Sequence, residues 1–177
     1  MAHGEGTGPD GAQVAVVTGA SSGIGEAVVR RLAEDGWTVV AAARRTHHLE
    51  RLAAAVADAG ARGRVVPVTV DVTDTASVDA LAARVTAALG ACHLLVCNAG
   101  VGGGSLEGRD DLDGALTVLD VNLAGTVRCC AAFSDLLTAS APSQVVNVAS
   151  VAGKLGLGPA AYVASKFGMV GLSEALE

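Results

Sequence analysis

Val14-Ala15-Val16-Val17-Thr18 leads straight into Gly19-Ala20-Ser21-Ser22-Gly23-Ile24-Gly25, and these residues decide the fold. The first five form an apolar, β-branched run of the length of a buried strand. The glycines follow in the spacing G-x-x-x-G-x-G, a turn that opens a helix. A strand, a glycine turn and a helix amino terminus in that order build an anion site. Backbone N–H groups and the positive end of the helix dipole converge there. Glycine also lets a pyrophosphate reach the backbone with no Cβ in the way. Taken alone, the motif leaves one alternative open: a strand–turn–helix whose glycines serve only the turn.

Outward from this stretch, strand and helix patterns alternate. Apolar residues at 24, 28, 29, 32 and 33 predict a helix over 25–35, stopped by Gly36. A second strand is expected over 37–43 and a helix over 46–59, with Leu49, Leu52, Ala53 and Val56 on one face. A third strand over 64–70 precedes a helix capped by Asp74 or Thr75 and reaching Leu89. A fourth strand spans 92–97, a glycine-rich loop 101–108, a long helix 111–138 and a fifth strand 144–149. A last helix starts near Pro159. Val-rich strands alternating with helices call for a parallel sheet covered on both faces. Right-handed crossovers then favour an α/β, doubly wound (Rossmann) sheet of order 3-2-1-4-5. Neither an internal repeat nor a linker divides the chain. Residues 13–177 therefore read as one dinucleotide-binding domain that also carries the catalytic residues, and 1–12 as a flexible polar lead.

Composition narrows the function. Of 177 residues, 51% are hydrophobic but only 2% aromatic, so Val, Leu and Ala must fill the core. A formal charge of −6 without a basic stripe argues against nucleic acid as a partner. The absence of an uncharged apolar run of about 20 residues argues against a membrane span. The amino terminus lacks the basic start and apolar run of a signal peptide. Cys92, Cys97, Cys129 and Cys130 do not have zinc spacing, and adjacent cysteines rarely pair with each other. We expect reduced thiols, a cytoplasmic location and no metal site.

Tyr162 is the only tyrosine, and Lys166 is one of two lysines against ten arginines. Four residues apart at the start of the last helix, they share a face. A phenol titrates near 10. A lysine charge about 4 Å away, at an effective dielectric near 20, stabilises a phenolate by on the order of 4 kcal/mol. Such a pair can act as a general acid/base. The alternative is a half-buried ring beside a solvated ammonium.

Five motifs together resemble the short-chain dehydrogenase/reductase family. Thr18-Gly19-Ala20-Ser21-Ser22-Gly23-Ile24-Gly25 is similar to its cofactor turn, and Asn98-Ala99-Gly100 to its motif after the fourth strand. Asn122, Ser150, Tyr162 and Lys166 fall on its catalytic asparagine, serine, tyrosine and lysine. The resemblance, which covers the chain from Gln13 onward, implies hydride transfer between a nicotinamide cofactor and a carbonyl or alcohol carbon. It also implies that the lysine holds the nicotinamide ribose, the serine binds the substrate carbonyl and the asparagine orders a water. Asp71, followed by Val72, resembles the aspartate that meets the adenine amino group. A carboxylate after the second strand would select NAD(H), but Arg44 and Arg45 stand there, which favours NADP(H). Ordinary solvated arginines are the alternative, and Ser22 departs from the basic residue that many NADP-using relatives carry. Leu155, Leu157 and the loop 101–105 point to an apolar small-molecule substrate: a 3-oxoacyl compound, polyketide, steroid or other ketone.

The family further implies a homo-oligomer, dimer or tetramer, through the helices carrying Asn122 and Tyr162. Ala131, Ala132, Gly168 and Gly171 are expected at its outer positions. The sixth and seventh strands of the family fold, its substrate loop and its last helix have no counterpart here. That reads as a fragment or a naturally short chain, with an exposed edge on the fifth strand. The competing function is a catalytically silent nucleotide-binding module.

Overall fold

The structure, a computed structural model, describes residues 11–176; most of the expected flexible lead lies outside the described residues. Five parallel strands, β1 (Val14–Thr18), β2 (Thr38–Ala43), β3 (Arg64–Thr69), β4 (Leu94–Cys97) and β5 (Gln144–Asn147), lie in the order β3-β2-β1-β4-β5. The predicted topology is the observed one. The helices α1 (Gly23–Glu34), α2 (Thr46–Asp58), α3 (Thr75–Leu89), α4 (Leu112–Leu119), α5 (Gly125–Ala139) and α6 (Ala160–Ala175) flank the sheet.

Two apolar clusters, one per sheet face, follow from the period-two alternation of strand side chains. Val14, Val16, Leu95 and Cys97 pack with α3 and α5 around Phe133. Ala15, Val17, Val39 and Ala41 pack with Val29, Leu49 and Val56 of α1 and α2. Every residue of β1 and β2 is buried. Helix α3 starts as predicted, with the Asp74 carboxylate accepting from the Ala76 N–H at 3.0 Å.

Several bounds differ from expectation; β5, expected to reach residue 149, ends at Asn147. Helix α1 begins at Gly23, two residues early, because Ser22 is already in the extended N-cap conformation. Strand β4 begins at Leu94 rather than Cys92. There His93 ends the ladder by taking the Val14 N–H on its Nδ1 at 3.0 Å. The long helix is not uniform: Asp120–Ala124 is a π segment between α4 and α5. The run Leu112–Ala139 is also long and apolar enough, by length and composition, to cross a membrane, although it is not free of charge. Asp120 and Arg128, paired at 2.8 Å, interrupt that run, and its buried face carries Asn122.

Candidate active site

The glycine turn is shaped by close approach. Gly19 has φ +66°, and an ideal Cβ there would lie 2.8 Å from the Ala99 Cα; one on Gly25 would lie 2.5 Å from the Gly19 carbonyl oxygen. Side chains then lock the turn to the end of β4. The Thr18 hydroxyl accepts from the backbone N–H of Asn98 and of Ala99, both at 3.1 Å. The Asn98 amide donates back to the Thr18 and Gly19 carbonyls at 3.0 and 3.3 Å. No side chain caps α1, since the Ser22 hydroxyl instead accepts from Arg45 at 2.8 Å. The first-turn amides of α1, starting at Gly23, therefore face the cleft as an anion site, and Ile24 beside them is 63% exposed. This donor set fits a dinucleotide pyrophosphate.

A cleft of about 400 Å³ runs from this turn along the carboxyl ends of the strands. Ser21, Ser22, Arg44, Arg45, Asp71 and Val72 line one part of it, and Asn98, Ala99, Gly100 and Val101 the other. Besides Ser22, Arg45 donates to Ser21 Oγ from both Nη2 and Nε, at 2.9 and 3.2 Å. Sequence reading leaves open whether Arg45 is a phosphate ligand or an ordinary solvated arginine; the structure shows its guanidinium fixed by two hydroxyls. Asp71 accepts from the Thr73 N–H at 3.0 Å and from its hydroxyl at 2.7 Å. These bonds hold its carboxyl below the usual carboxylate range, aided by the Arg44 and Arg128 charges.

Beyond Val101 lie the remaining predicted residues. Asn122, fully buried in the π segment, grips the Val101 backbone with both ends of its amide. Its Oδ1 accepts from the Val101 N–H at 2.8 Å and its Nδ2 donates to the Val101 carbonyl at 2.9 Å. The same Nδ2 donates to Ser165 Oγ at 3.1 Å, and that hydroxyl donates to the Tyr162 carbonyl at 2.7 Å. Lys166 is 5% exposed; its Nζ lies 5.7 Å from the centre of the Tyr162 ring and donates to the Val148 carbonyl at 2.8 Å. Burial lowers its pKa from the ordinary lysine value. Ser150, two residues past Val148, accepts from the Ala152 N–H at 3.2 Å and keeps its own O–H proton to donate. Asn122, Tyr162 and Lys166 are thus connected, and Ser150 stands two residues along the chain from the Val148 carbonyl that Lys166 holds.

Ser165, and the locking role of the Thr18 hydroxyl, escaped the sequence reading. Ser165 had a signal: with Ala161 and Met169 it forms a buried stripe of period four on α6, and a polar residue on such a stripe needs a partner. Two expected outer positions are not outer. Ala132 packs against the core of the α5 face. A Cβ on Gly168 would lie 2.7 Å from Leu123 of the π segment, so Gly168 serves helix packing within the chain. Ala131 and Gly171 are exposed, as expected. His47 and His48 lie on the outside of α2, and His48 contacts Arg51. Lys154 is exposed beside Glu174. Among the described residues no cluster fit to hold a metal is found.

Residues 13–177 match the family model for short chain dehydrogenases. The chain belongs to that family. It is 39% identical over 167 residues to the 3beta-hydroxysteroid dehydrogenase of Mediterraneibacter gnavus, covering 93% of this chain and 59% of the relative. It is 38% identical over 165 residues to the D-threitol dehydrogenase of Mycolicibacterium smegmatis, covering 93% and 63%. The chain thus spans about three-fifths of the length of these curated relatives. A metagenomic short-chain oxidoreductase in complex with NADP superposes with a TM-score of 0.83 at 37% identity, over 93% of this chain and 74% of that one. A short chain dehydrogenase/reductase from Burkholderia phymatum in complex with NAD gives 0.84 at 36%, over 93% and 59%.

Proposed function

We propose that this chain is the cofactor-binding and catalytic part of an NADP(H)-dependent oxidoreductase acting on a carbonyl or alcohol carbon of a small apolar substrate. The observation that carries the reading is the chain of contacts from Lys166 and Tyr162 through Ser165 and Asn122 to Val101, which lines the nucleotide cleft. The cofactor, when bound, supplies or takes the hydride. Tyr162 gives the developing alkoxide its proton, or takes one in the reverse direction. Lys166 places a positive charge 5.7 Å from the centre of the Tyr162 ring and would hold the nicotinamide ribose. Ser150 donates its free hydroxyl proton to the substrate oxygen. Asn122 holds the Val101 backbone and orders the water that resupplies the proton. Asp71 takes the adenine amino group.

NADP(H) is favoured over NAD(H) by charge and geometry. A guanidinium already anchored on Ser21 and Ser22 binds a ribose phosphate with less entropy to lose. Arg44 beside it adds a second charge. The related structures include one with NADP and one with NAD, so the family does not decide the matter. Val151 and Leu157, each 71% exposed and close in sequence to Ser150, support an apolar substrate. We also propose that the protein acts as a homo-oligomer in the cytoplasm.

Titration calorimetry with both cofactors tests the reading: NADPH should bind at least about ten times more tightly than NADH, and Arg44→Asp should erase the difference. Equal affinities overturn the NADP(H) assignment. A second reading, a nucleotide-binding module without turnover, is favoured by the exposed β5 edge, where Val146 is 43% exposed. Binding of NADPH without its oxidation across a panel of ketones would select it.

A further inference from the structure

Arg128 of α5 uses all three of its guanidinium nitrogens within the chain. Its Nη2 donates to Asp120 Oδ1 at 2.8 Å, its Nε to the Thr75 hydroxyl at 3.2 Å and its Nη1 to the Val72 carbonyl at 3.2 Å. Asp120 opens the π segment, so the ion pair spans the wide turn. Eight residues of regular α-helix would set the two side chains about 80° apart around the axis, and the extra residue of the π segment brings them to within about 20°. The other two partners stand where the loop after β3 enters α3, and Asp71 and Val72 of that loop line the nucleotide cleft. We propose that Arg128 is a positioning residue for the adenine end of the cleft, fixing this loop against α5 so that the Asp71 carboxylate meets the adenine amino group. The inference rests on the cofactor reading above.

The bonds that the loop makes with itself are local. The Asp71 N–H donates to the Ser77 hydroxyl at 3.0 Å, Asp71 Oδ1 accepts twice from Thr73, and the Asp71 carbonyl accepts from the Asp74 N–H at 3.2 Å. They set the shape of the loop, not its place. The Arg128 bonds reach it from another element. Gly125, one turn before Arg128, lets the two approach, since a Cβ there would lie 2.9 Å from Val72 Cγ2. Thr73 takes Oδ1 with both of its bonds, and Oδ2 is the atom assigned to the adenine amino group. A hydrogen bond is lost once its atoms separate by about 1 Å beyond the optimum, so a small slip of the loop is enough to lose it. The planar fork suits three acceptors lying in different directions, which a single ammonium does not.

The test uses the 177-residue chain and two probes: NADPH, and its reduced hypoxanthine analogue, in which a carbonyl oxygen replaces the adenine amino group. By titration calorimetry the wild type should prefer NADPH at least about fivefold, the worth of one hydrogen bond to a charged acceptor. Arg128→Met should abolish that preference by weakening NADPH binding alone, leaving affinity for the analogue within about twofold of wild type. Arg128→Lys keeps the charge but not the fork and should behave as Arg128→Met does.

Hydrogen exchange without nucleotide is the independent readout. The Thr73 and Asp74 amides should exchange at least about fivefold faster in Arg128→Met, and those of β1 at the wild-type rate. Should Arg128→Met fail to fold, Thr75→Val removes only the Nε acceptor and should give smaller changes of the same kind. An equal loss for both nucleotides, unchanged exchange at Thr73 and Asp74, or full recovery in Arg128→Lys would each overturn the proposal. If the wild type binds neither nucleotide while exchange in Arg128→Met still rises, the hold on the loop stands and the cofactor reading is what fails.

Discussion

The two halves of the site are held in opposite ways. Around the glycine turn the structure depends on atoms that are missing: Gly19 and Gly25 let three backbone segments touch where a methyl group would not fit. Around Asn122 it depends on atoms that are present, a buried amide and a buried hydroxyl hydrogen-bonded to each other and to the backbone. The surroundings differ too. The first half sits on β1 and β2, buried along their whole length, and the second beside β5, where Gln144, Val145 and Val146 are exposed. The first half should fail when something is added and the second when something is removed.

Chemistry gives the sharpest separation. In a form of the protein with measurable turnover, Tyr162→Phe should lower kcat by about 10²–10⁴-fold while NADPH affinity stays nearly unchanged, because only the proton donor is lost. Steady-state kinetics beside calorimetry would show it; a variant keeping most of its kcat breaks the assignment. Lys154→Ala is the control and should change neither quantity.

Gly25→Ala comes next. The added Cβ meets the Gly19 carbonyl and the Asn98 amide at 2.5 Å, neither of which can move without opening the turn. We expect about 3 kcal/mol of destabilisation, near the top of the overpacking range, read as a lower urea midpoint. Asn122→Leu tests the other failure. It strands the Val101 N–H and carbonyl in a buried place, which should cost about 2 kcal/mol. Ser165→Ala, which leaves the Val101 contacts intact, should cost less than Asn122→Leu. If Ser165→Ala is the more damaging, the amide is not what holds this half together.

The smallest expected effect is acid-dependent. Asp71 is held below its ordinary pKa of 3.8, first by the Thr73 N–H and then by its hydroxyl. A carboxyl depressed in the folded state contributes stability above its unfolded pKa, and that contribution is lost as the pH falls through the folded value. Thr73→Val removes the hydroxyl alone, so the variant should melt slightly lower at neutral pH. The gap should close as the pH falls through the folded-state value, once Asp71 is protonated in both proteins. Parallel melting curves across that range, with an unchanging gap, would contradict it.

The glycine half was legible because its signals are local. Strand, turn and helix start lie within Val14–Gly25, and the strand order followed from alternation and crossover handedness. Tyr162 and Lys166 were legible through their rarity and spacing. What stayed hidden joins residues far apart in the chain. Arg45 with Ser21 and Asn122 with Ser165 are meetings that only the folded sheet arranges. No periodicity encodes them. The misplacement of Gly168 is of the same kind, since a small residue on a helix reads alike whether it faces another subunit or Leu123.

The π segment at Asp120–Ala124 has a geometric consequence of its own. An α-helix turns about 100° per residue, so one residue more in a turn rotates everything after it by about that angle. Before the segment, Ala115 and Val118 meet Ala161 of α6; after it, Cys129, Phe133 and Leu137 meet the sheet and α3. A single rod thereby presents one side to one neighbour and another side to the next, with no loop in between. Asn122 sits in the wide turn where the change of direction happens, able to address both Val101 and Ser165. Deleting one residue within 120–124 would restore regular pitch, and α4 and α5 could then no longer both face their present partners.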